Sequence, residues 1–241
     1  MDSVVPDLEP EREYNRFVHG LLSSLNMTYH QLMVIERYGA ALPDEQQQLL
    51  AYAIDMLREI ELNVVRRSAL VNRISPEPVS LAQIHSEFER VFERVRRSAR
   101  WLDRDEVELA LRVAQIAPDC ADVDMNVDLI ALRAVFACIV ENFVHYGATA
   151  QAPILSLRAE VQRNAVRLVI ADEGPGIAAG ERELIFEERF RGGAARRRHP
   201  AGTGAGLYDA RRLLRRMGGD LQLADGAHGA AFACSLARSA R

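Results

Sequence analysis

The chain contains no lysine: all 30 basic residues among its 241 are arginine. A Walker-type phosphate loop requires a lysine that reaches the nucleotide phosphates, so that class of nucleotide site is excluded. Schiff-base chemistry on a lysine amine is excluded for the same reason. The arginine bias itself is most simply explained by coding preference, and we attach no function to it.

Cysteine is scarce, with three residues at Cys120, Cys138 and Cys234. They lie far apart in apolar surroundings, and their spacing matches no metal site. We therefore expect three buried thiols that behave as small hydrophobic side chains.

Long apolar runs and excess positive charge are also missing. No apolar run reaches the roughly 18 residues of a transmembrane helix, and the N-terminus lacks a signal-peptide pattern. The net charge of −4 provides no general affinity for nucleic acid or for anionic membranes. The hydrophobic content of 49% suits a folded protein. We therefore expect a cytoplasmic protein with no membrane insertion and no nucleic-acid partner.

The first third of the chain has helical periodicity. Residues 1–10 contain two prolines and several acids and predict a flexible lead, whereas 11–39 and 45–74 carry apolar residues at 3–4 spacing. The apolar positions are Val18, Leu21, Leu25, Thr28, Leu32 and Ile35, then Leu50, Ala53, Leu57, Ile60, Val64, Val71 and Ile74. Two helices of about 45 Å each would form an antiparallel hairpin over 11–74. One hairpin cannot bury this surface, so we expect a homodimer that forms a four-helix bundle.

Prolines at 76 and 78 predict a linker over 75–78, followed by a second domain over 79–241. Its pattern alternates between helix and strand. Helices are predicted over 81–99 and 128–146, strands over 106–113, 154–161, 165–171, 219–224 and 230–236, and a loop over 118–124. This mixed order predicts a two-layer α/β sandwich, so the whole chain is of the α+β class.

Three glycines, Gly202, Gly204 and Gly206, stand just before the helical pattern of 207–217. Such a turn allows close backbone approach, and its amides can bind an anion. A helix N-terminus beside it would stabilise a phosphate chain. The alternative is an ordinary structural loop.

Four sequence blocks together are more specific than this loop alone. They are Glu141-Asn-Phe-Val-His-Tyr-Gly147, Asp172-Glu-Gly-Pro-Gly-Ile177, the pair Phe186 and Phe190, and Gly202-Thr-Gly-Ala-Gly-Leu207. In this order they resemble the N, G1, F and G2 boxes of the histidine-kinase ATP-binding domain, within the wider GHKL ATPase group. The resemblance extends over roughly residues 11–237 and implies that ATP and Mg²⁺ are bound.

The resemblance also implies individual roles. Asn142 would supply an oxygen to the Mg²⁺ that bridges the phosphates, and Glu141 would polarise the attacking imidazole. His145 stands where relatives more often have lysine or arginine. Asp172 would accept a hydrogen bond from the adenine amino group. The structural alternatives are an amphipathic helix with a polar edge for the N box and an ordinary strand-end turn for the G1 box.

The nucleotide contacts implied by the resemblance come from all four boxes. They are Asn142, His145, Tyr146, Asp172, Gly174, Gly176, Ile177, Phe190, Arg191, Gly202, Thr203, Gly204, Ala205, Gly206 and Leu207. Residues 194–201 resemble the mobile lid that closes over the phosphates. The alternative for Arg196–Arg198 is a solvated run of charge.

The phosphoacceptor should lie on the first helix. The segment Phe17-Val-His19-Gly20-Leu-Leu-Ser-Ser-Leu25 resembles the family's H box, Phe-x-His-Glu-Leu-Arg-Thr-Pro-Leu. His19 then accepts the phosphoryl group, and the alternative is an inert surface histidine. Four positions after the histidine depart from the pattern, most notably Gly20 in place of the carboxylate.

Taken together, the resemblance implies a dimeric cytoplasmic histidine kinase that autophosphorylates on His19 and passes the phosphoryl group to an aspartate of a response-regulator receiver domain. The sequence has no recognisable sensory domain, so we expect the input to come from a separate sensor protein, the short N-terminus or a region outside this chain. Three alternatives stay open: a phosphotransferase or pseudokinase without autokinase activity, an anti-sigma-type GHKL serine kinase, and a dimerisation scaffold in which ATP is structural.

Overall fold

The computed structural model describes residues 73–99, 109–114, 120–148, 153–198, 203–225 and 229–239, with the side chains of 97–99 excepted. Before residue 73 it describes single positions: 20, 21, 23–25, 27, 28, 31, 32, 35, 43, 46, 50, 53, 57, 60, 64 and 68–71. These are helical except for Pro43. They are too scattered to define a hairpin, so the predicted hairpin and its dimer interface stay predictions.

The chain divides into two compact units, Met1–Arg73 and Ile74–Arg241. All strands that the structure describes belong to the second unit. Its elements are β1 (Glu77–Ser80), α1 (Leu81–Ala99), β2 (Ala110–Val113), β3 (Asp124–Val127), α2 (Leu129–Asn142), β4 (Ile154–Val161), β5 (Ala165–Asp172), α3 (Gly193–Arg198), α4 (Gly206–Arg216), β6 (Asp220–Leu223) and β7 (Ala231–Ala237).

Five strands form one mixed sheet in the order β2-β4-β5-β7-β6. Strand β2 runs parallel to β4, and the other neighbours are antiparallel. Strand residues point alternately to opposite faces, and one face of β5 and β7 carries large buried side chains. They pair across the sheet as Val166 with Leu236, Leu168 with Cys234 and Ile170 with Phe232. This face and the helices enclose the core, which confirms the prediction of an α+β domain built from a sheet and helices.

Helix α2 is the central helix of this layer, and it packs against α1 and α4. Asp128 caps its start by accepting hydrogen bonds from the backbone N–H groups of Ile130 and Ala131. Phe136 meets the ring of Phe88 on α1 edge to face, with 5.1 Å between centroids. Beside it, Arg133 Nε lies 2.7 Å from the buried carboxylate of Glu87. The helix is therefore fixed along its length by packing and by an ion pair.

The interior position of this helix explains its composition. Leu129–Gly147, counted with the turn that extends α2, is long and apolar enough to cross a membrane by length and composition, although 61% of the tested window is buried inside the protein. The expectation that no apolar segment is as long as a transmembrane helix is therefore wrong for this helix. The cysteine prediction holds for Cys138 and Cys234, which are buried, while Cys120 is only partly buried. Burial raises the pKa of the Cys234 thiol to about 12.

Two short strands were not predicted. Strand β1 pairs antiparallel with β3, with Pro78 opposite Asn126. The prediction of a linker over 75–78 is therefore wrong for Glu77 and Pro78, and the loop predicted over 118–124 ends where β3 begins. Each strand has four residues, which is too few to show a clear alternation of apolar and polar side chains. Proline and asparagine also disfavour strands. Of the strand predicted over 106–113, the structure shows Ala110–Val113, and residues 101–108 lie outside the described part.

Candidate active site

Asp172 is the last residue of β5, and its carboxylate is held by backbone groups from two other segments. Only 6% of the residue is exposed. Its Oδ1 accepts hydrogen bonds from the N–H of Gly174 at 2.8 Å and of Ala230 at 3.1 Å. The backbone N–H of Asp172 donates to the carbonyl of Ala230 at 2.9 Å. The carboxylate is therefore fixed in one orientation before any ligand arrives.

The two oxygens of this carboxylate differ in their surroundings. Oδ1 receives both backbone hydrogen bonds, whereas Oδ2 accepts none from the residues that the structure describes. Burial raises the pKa of Asp172 above its ordinary value, and the hydrogen bonds from Ala230 and Gly174 oppose that rise. A buried carboxylate with one unused acceptor is suited to bind a ligand N–H group.

Backbone segments approach Asp172 closely at Gly147 and Gly174. A Cβ atom added at Gly174 would lie 2.6 Å from the Cα of Gly147, and one added at Gly147 would lie 3.0 Å from Asp172 Oδ2. Neither position has room for a side chain. The end of the N box and the G1 turn are thus in close contact beside the carboxylate, and only glycine permits this approach.

The N box itself changes helix type at its end. Helix α2 stops at Asn142, and Phe143–Gly147 form one π-helical turn with the N–H of Ala148 donating to the carbonyl of Phe143 at 2.8 Å. α-Helical spacing would place Asn142 and His145, three residues apart, on the same face. The π turn that begins at Phe143 changes this spacing, because its hydrogen bonds join residues five apart. Glu141, Asn142, His145 and Tyr146 are all half-buried. The rings of His145 and Tyr146 lie 6.0 Å apart.

The glycine-rich loop leads onto a helix as predicted. Helix α4 begins at Gly206, and its N-cap residue Ala205 makes no side-chain capping bond. The N–H of Ala205 is 3.4 Å from Thr203 Oγ1. Uncapped first-turn N–H groups together with the helix dipole can bind a phosphate. Leu207 is half-buried in the first turn, and Gly202 lies outside the described residues.

The F box lies against the glycine-rich loop. Gly204 has φ +72°, and a Cβ atom there would lie 2.7 Å from the carbonyl oxygen of Phe190 and 2.8 Å from the carbonyl carbon of Arg189. Both the positive φ and the contact require glycine. Phe186 is buried in the short 3₁₀ turn Leu184–Phe186, and Phe190 is half-buried.

The lid segment is described up to Arg198. It forms α3, and Arg198 Nη1 donates to the carbonyl oxygen of Tyr146 at 3.1 Å, which joins the end of the lid helix to the N box. At the other end, the N–H of Gly193 donates to Glu181 Oε1 at 3.1 Å. Arg196 Nε donates to the carbonyl of Arg191 at 2.9 Å. The arginine-rich run is therefore tied to the site in this arrangement, although the guanidinium groups of 196–198 are on exposed residues.

Comparison with known proteins assigns part of the chain to a family of similar sequences. Residues 127–239 match the model of the family described as "Histidine kinase-, DNA gyrase B-, and HSP90-like ATPase". This part of the chain is therefore similar to the ATPases of that family.

Relatives of the chain are sensor histidine kinases. The chain is 29% identical over 212 residues to the signal transduction histidine-protein kinase/phosphatase MprB of Mycolicibacterium smegmatis, and the aligned region covers 84% of this chain and 39% of that protein. The chain is 36% identical over 94 residues to the sensor histidine kinase GlrK of Escherichia coli, and the aligned region covers 39% of this chain and 19% of that protein. A solved structure of a mycobacterial sensor histidine kinase MprB is 25% identical with a TM-score of 0.52, and covers 69% of this chain and 100% of that one. The chain thus spans less than half the length of these curated relatives.

Within residues 127–239, the structure shows two groups of contacts among the residues identified from sequence. The end of the N box, Asp172 and Gly174 meet at one place, and the glycine-rich loop contacts the F box at another. Gly176 and Ile177 continue the G1 turn and are half-buried. The predicted phosphoacceptor His19 lies outside the described residues.

Sequence reasoning missed several contributors. Ala230 acts through its backbone N–H, which leaves no side-chain signal. Gly147 was part of the N box, but its contact with the carboxylate depends on tertiary packing. Glu181 supports the lid from a 3₁₀ turn that no motif marks. Arg211, in the middle of α4, contacts Phe186 and was read only as part of a helical pattern.

Proposed function

We propose that this chain is the catalytic core of a two-component sensor histidine kinase. The ATPase domain binds ATP with Mg²⁺, and the γ-phosphoryl group is transferred to His19 and then to an aspartate of a response-regulator receiver domain. The observation that carries this proposal is the Asp172 carboxylate, whose Oδ1 accepts two backbone N–H groups while Oδ2 accepts none from the described residues.

The adenine would approach Asp172 from the side of Oδ2. Its exocyclic amino group would donate to Asp172 Oδ2, and such a hydrogen bond to a charged acceptor is stronger than one between neutral groups. The glycines of the loop and the first turn of α4 would hold the phosphates through backbone N–H groups. The arginines of the lid helix would add positive charge over the phosphate chain.

The proposed metal site rests on Asn142. Mg²⁺ in phosphoryl-transfer sites keeps several waters and is bound mainly through substrate phosphates, so one protein oxygen is sufficient. Among the described residues, no group of three His, Cys, Asp or Glu side chains could hold a metal ion, and a single amide ligand fits this mode of binding. When bound, Mg²⁺ neutralises charge that develops on the phosphate oxygens.

In the transfer step, an imidazole nitrogen of His19 forms a bond to the γ-phosphorus while the bond to the bridging oxygen of ADP breaks. Glu141 would orient the imidazole or accept its proton. Proton transfer by a positioned group typically contributes about 10²- to 10⁴-fold to a rate. We further propose that residues 11–74 form the homodimer and that the protein acts in the cytoplasm, with its input from a separate sensor protein or a region outside this chain.

A weaker autokinase, or a phosphotransferase without autokinase activity, is the second candidate, and Gly20 is the observation in its favour. This residue is helical and exposed, and a Cβ atom there would meet nothing within 4 Å. Glycine inside a helix costs about 1 kcal/mol relative to alanine and supplies no carboxylate. Packing therefore does not require glycine at the position where relatives carry an acid.

Incubation of the full chain with γ-labelled ATP and Mg²⁺ tests the proposal. We expect a label on protein that is lost in acid and retained in alkali, as a phosphoramidate would be, and that is absent from His19→Gln. His30→Gln is the matched control, because it lies on the same predicted helix outside the H box. An acid-stable label would favour the serine-kinase alternative, and an acid-labile label that survives His19→Gln would mean that the acceptor is wrong.

A further inference from the structure

Arg211 lies in the middle of α4 and contacts the F box. Its guanidinium carbon is 4.8 Å from the centroid of the Phe186 ring. Phe186 is only 5% exposed, so the contact is largely shielded from water. A guanidinium group over an aromatic face is attracted by the ring quadrupole, and the attraction is stronger when desolvated.

A second contact fixes the orientation of this guanidinium group. Arg211 Nε lies 3.1 Å from Asp220 Oδ1, and Nη2 lies 3.5 Å from Oδ2. Burial opposes ionisation of Asp220, but hydrogen bonds from Arg211, Arg215 and Gln222 outweigh it and lower the pKa of this carboxyl. The Arg211 side chain is 20% exposed. Its planar group is thus held by β6 while its face covers Phe186.

The F-box segment is attached to the glycine-rich loop and α4 at two points. One is the contact of Arg211 with Phe186. The other is the contact of Gly204 with the peptide between Arg189 and Phe190. Between them the chain turns tightly, since the N–H of Phe190 donates to the carbonyl of Glu187 at 3.2 Å. The lid helix begins three residues after Phe190.

We propose that Arg211 is a positioning residue for the lid: it holds the Leu184–Phe186 turn against α4, so that the lid starts from a fixed place relative to the phosphate-binding end of that helix. The inference rests on the proposed ATP-binding function. In this role Arg211 acts through its contact with Phe186. Its loss should therefore weaken contacts that depend on the lid more than contacts to the base.

The main variant is Arg211→Gln, which removes the positive charge over the Phe186 ring and the two hydrogen bonds from the guanidinium group to Asp220. Arg212→Gln is the matched control, because Arg212 lies on the same helix and its guanidinium carbon is 5.6 Å from the centroid of a different ring, that of Tyr208. Arg215→Gln removes only the 2.9 Å bond to Asp220 Oδ1. Arg211→Lys retains a cation without the planar fork.

Each variant of the full chain is titrated with Mg²⁺ and either a non-hydrolysable ATP analogue or ADP, below its melting temperature. For Arg211→Gln we expect affinity for the triphosphate to fall about 2- to 30-fold, the range that a cation–π contact supports, with a smaller loss for ADP. Arg212→Gln and Arg215→Gln should bind both nucleotides as wild type does, and Arg211→Lys should recover part of the loss. Equal losses for both nucleotides, or the same loss in Arg212→Gln, would overturn the inference.

Hydrogen exchange without nucleotide separates this inference from the proposed function. Backbone amides of 184–190 should exchange faster in Arg211→Gln than in Arg212→Gln, while those of β4 and β5 should be unchanged. Unchanged exchange at 184–190 would refute the positioning role even if ATP binds. Faster exchange there, with no ATP binding by wild type, would support the contact and refute the proposed function. If Arg211→Gln does not fold, Arg211→Lys is compared with Arg212→Lys by the same measurements.

Discussion

Replacing Asp172 by asparagine should separate adenine recognition from folding. The side chain keeps its shape, and the two N–H groups of Gly174 and Ala230 continue to require an acceptor at the Oδ1 position. They therefore orient the amide so that its oxygen replaces Oδ1 and its NH₂ replaces Oδ2. The group that faces the adenine amine changes from an acceptor to a donor.

The size of the effect follows from the lost hydrogen bond. A hydrogen bond to a charged group contributes about 1.5–3 kcal/mol, which corresponds to roughly a 10- to 150-fold loss of ATP affinity. GTP should lose less, because guanine carries a carbonyl oxygen where adenine has the amine and can accept from the new NH₂. Selectivity for ATP over GTP should thus fall.

Stability should not fall with it. Burial raises the pKa of Asp172 in the folded protein above the ordinary value of 3.8. A carboxyl with a raised pKa stabilises the fold at low pH, and this contribution is lost as pH rises through the folded pKa. At neutral pH the ionised form is therefore a cost that Asp172→Asn removes. We expect its free energy of unfolding at pH 7 to equal or exceed that of wild type, with a weaker loss of stability as the pH is raised from acid to neutral.

Displacement of a fluorescent ATP analogue by ATP and by GTP measures the selectivity, and urea unfolding at several pH values measures the stability. Glu173→Gln is the matched control, since it removes the neighbouring carboxylate from an exposed position. Unchanged ATP-to-GTP selectivity in Asp172→Asn would refute the role of Oδ2. A marked loss of stability at pH 7 would refute the hydrogen-bond arrangement at Oδ1.

Three further predictions concern the metal, the unit boundary and the H box. Asn142→Ala should abolish Mg²⁺-dependent binding of a fluorescent ATP analogue and leave the circular dichroism spectrum unchanged; an unaltered magnesium dependence would contradict the assignment. A fragment that starts at residue 74 should be monomeric by light scattering. It should also melt at a higher temperature than a fragment that starts at residue 79, because the shorter fragment lacks half of β1 (Glu77–Ser80). Equal melting temperatures would mean that β1 adds nothing to stability. Gly20→Glu should raise the rate of acid-labile labelling, because an acid is restored at an open, exposed position; an unchanged rate would leave Glu141 as the base.

Where the chain has long apolar periodicity, the sequence was sufficient to predict the structure. The helix predicted over 128–146 corresponds to α2 (Leu129–Asn142) and the π turn that follows it. The strands predicted over 154–161 and 165–171 correspond to β4 and β5. These segments have eight or more residues in phase with one face of the core, so burial and local pattern agree. The change from α to π geometry at Phe143 has no such pattern and was not predicted.

The two strands that were missed are both short, and among the described residues they pair with each other and make one further bridge, between Met125 and Arg238. Their stability comes from tertiary position rather than from their own residues. Pro78 is tolerated there because the strand has a neighbour on one side only. In the sequence alone, proline on such an edge strand indicates a break between elements, which is why a linker was predicted over 75–78.

The candidate site, like the short strands, could be predicted from the sequence only in part. The motif around Asp172 identifies a carboxylate, but a carboxylate has two oxygens and the sequence does not say which one is available. That distinction comes from the N–H of Ala230, which is 58 residues away in the chain and acts through its backbone. Likewise, the contact between Gly147 and Gly174 depends on the fold, which brings the two segments so close that a Cβ atom added at Gly174 would lie 2.6 Å from the Cα of Gly147. Backbone donors and close approaches of this kind can be supplied by many sequences, so a motif can locate the binding group while the fold determines what that group is able to bind.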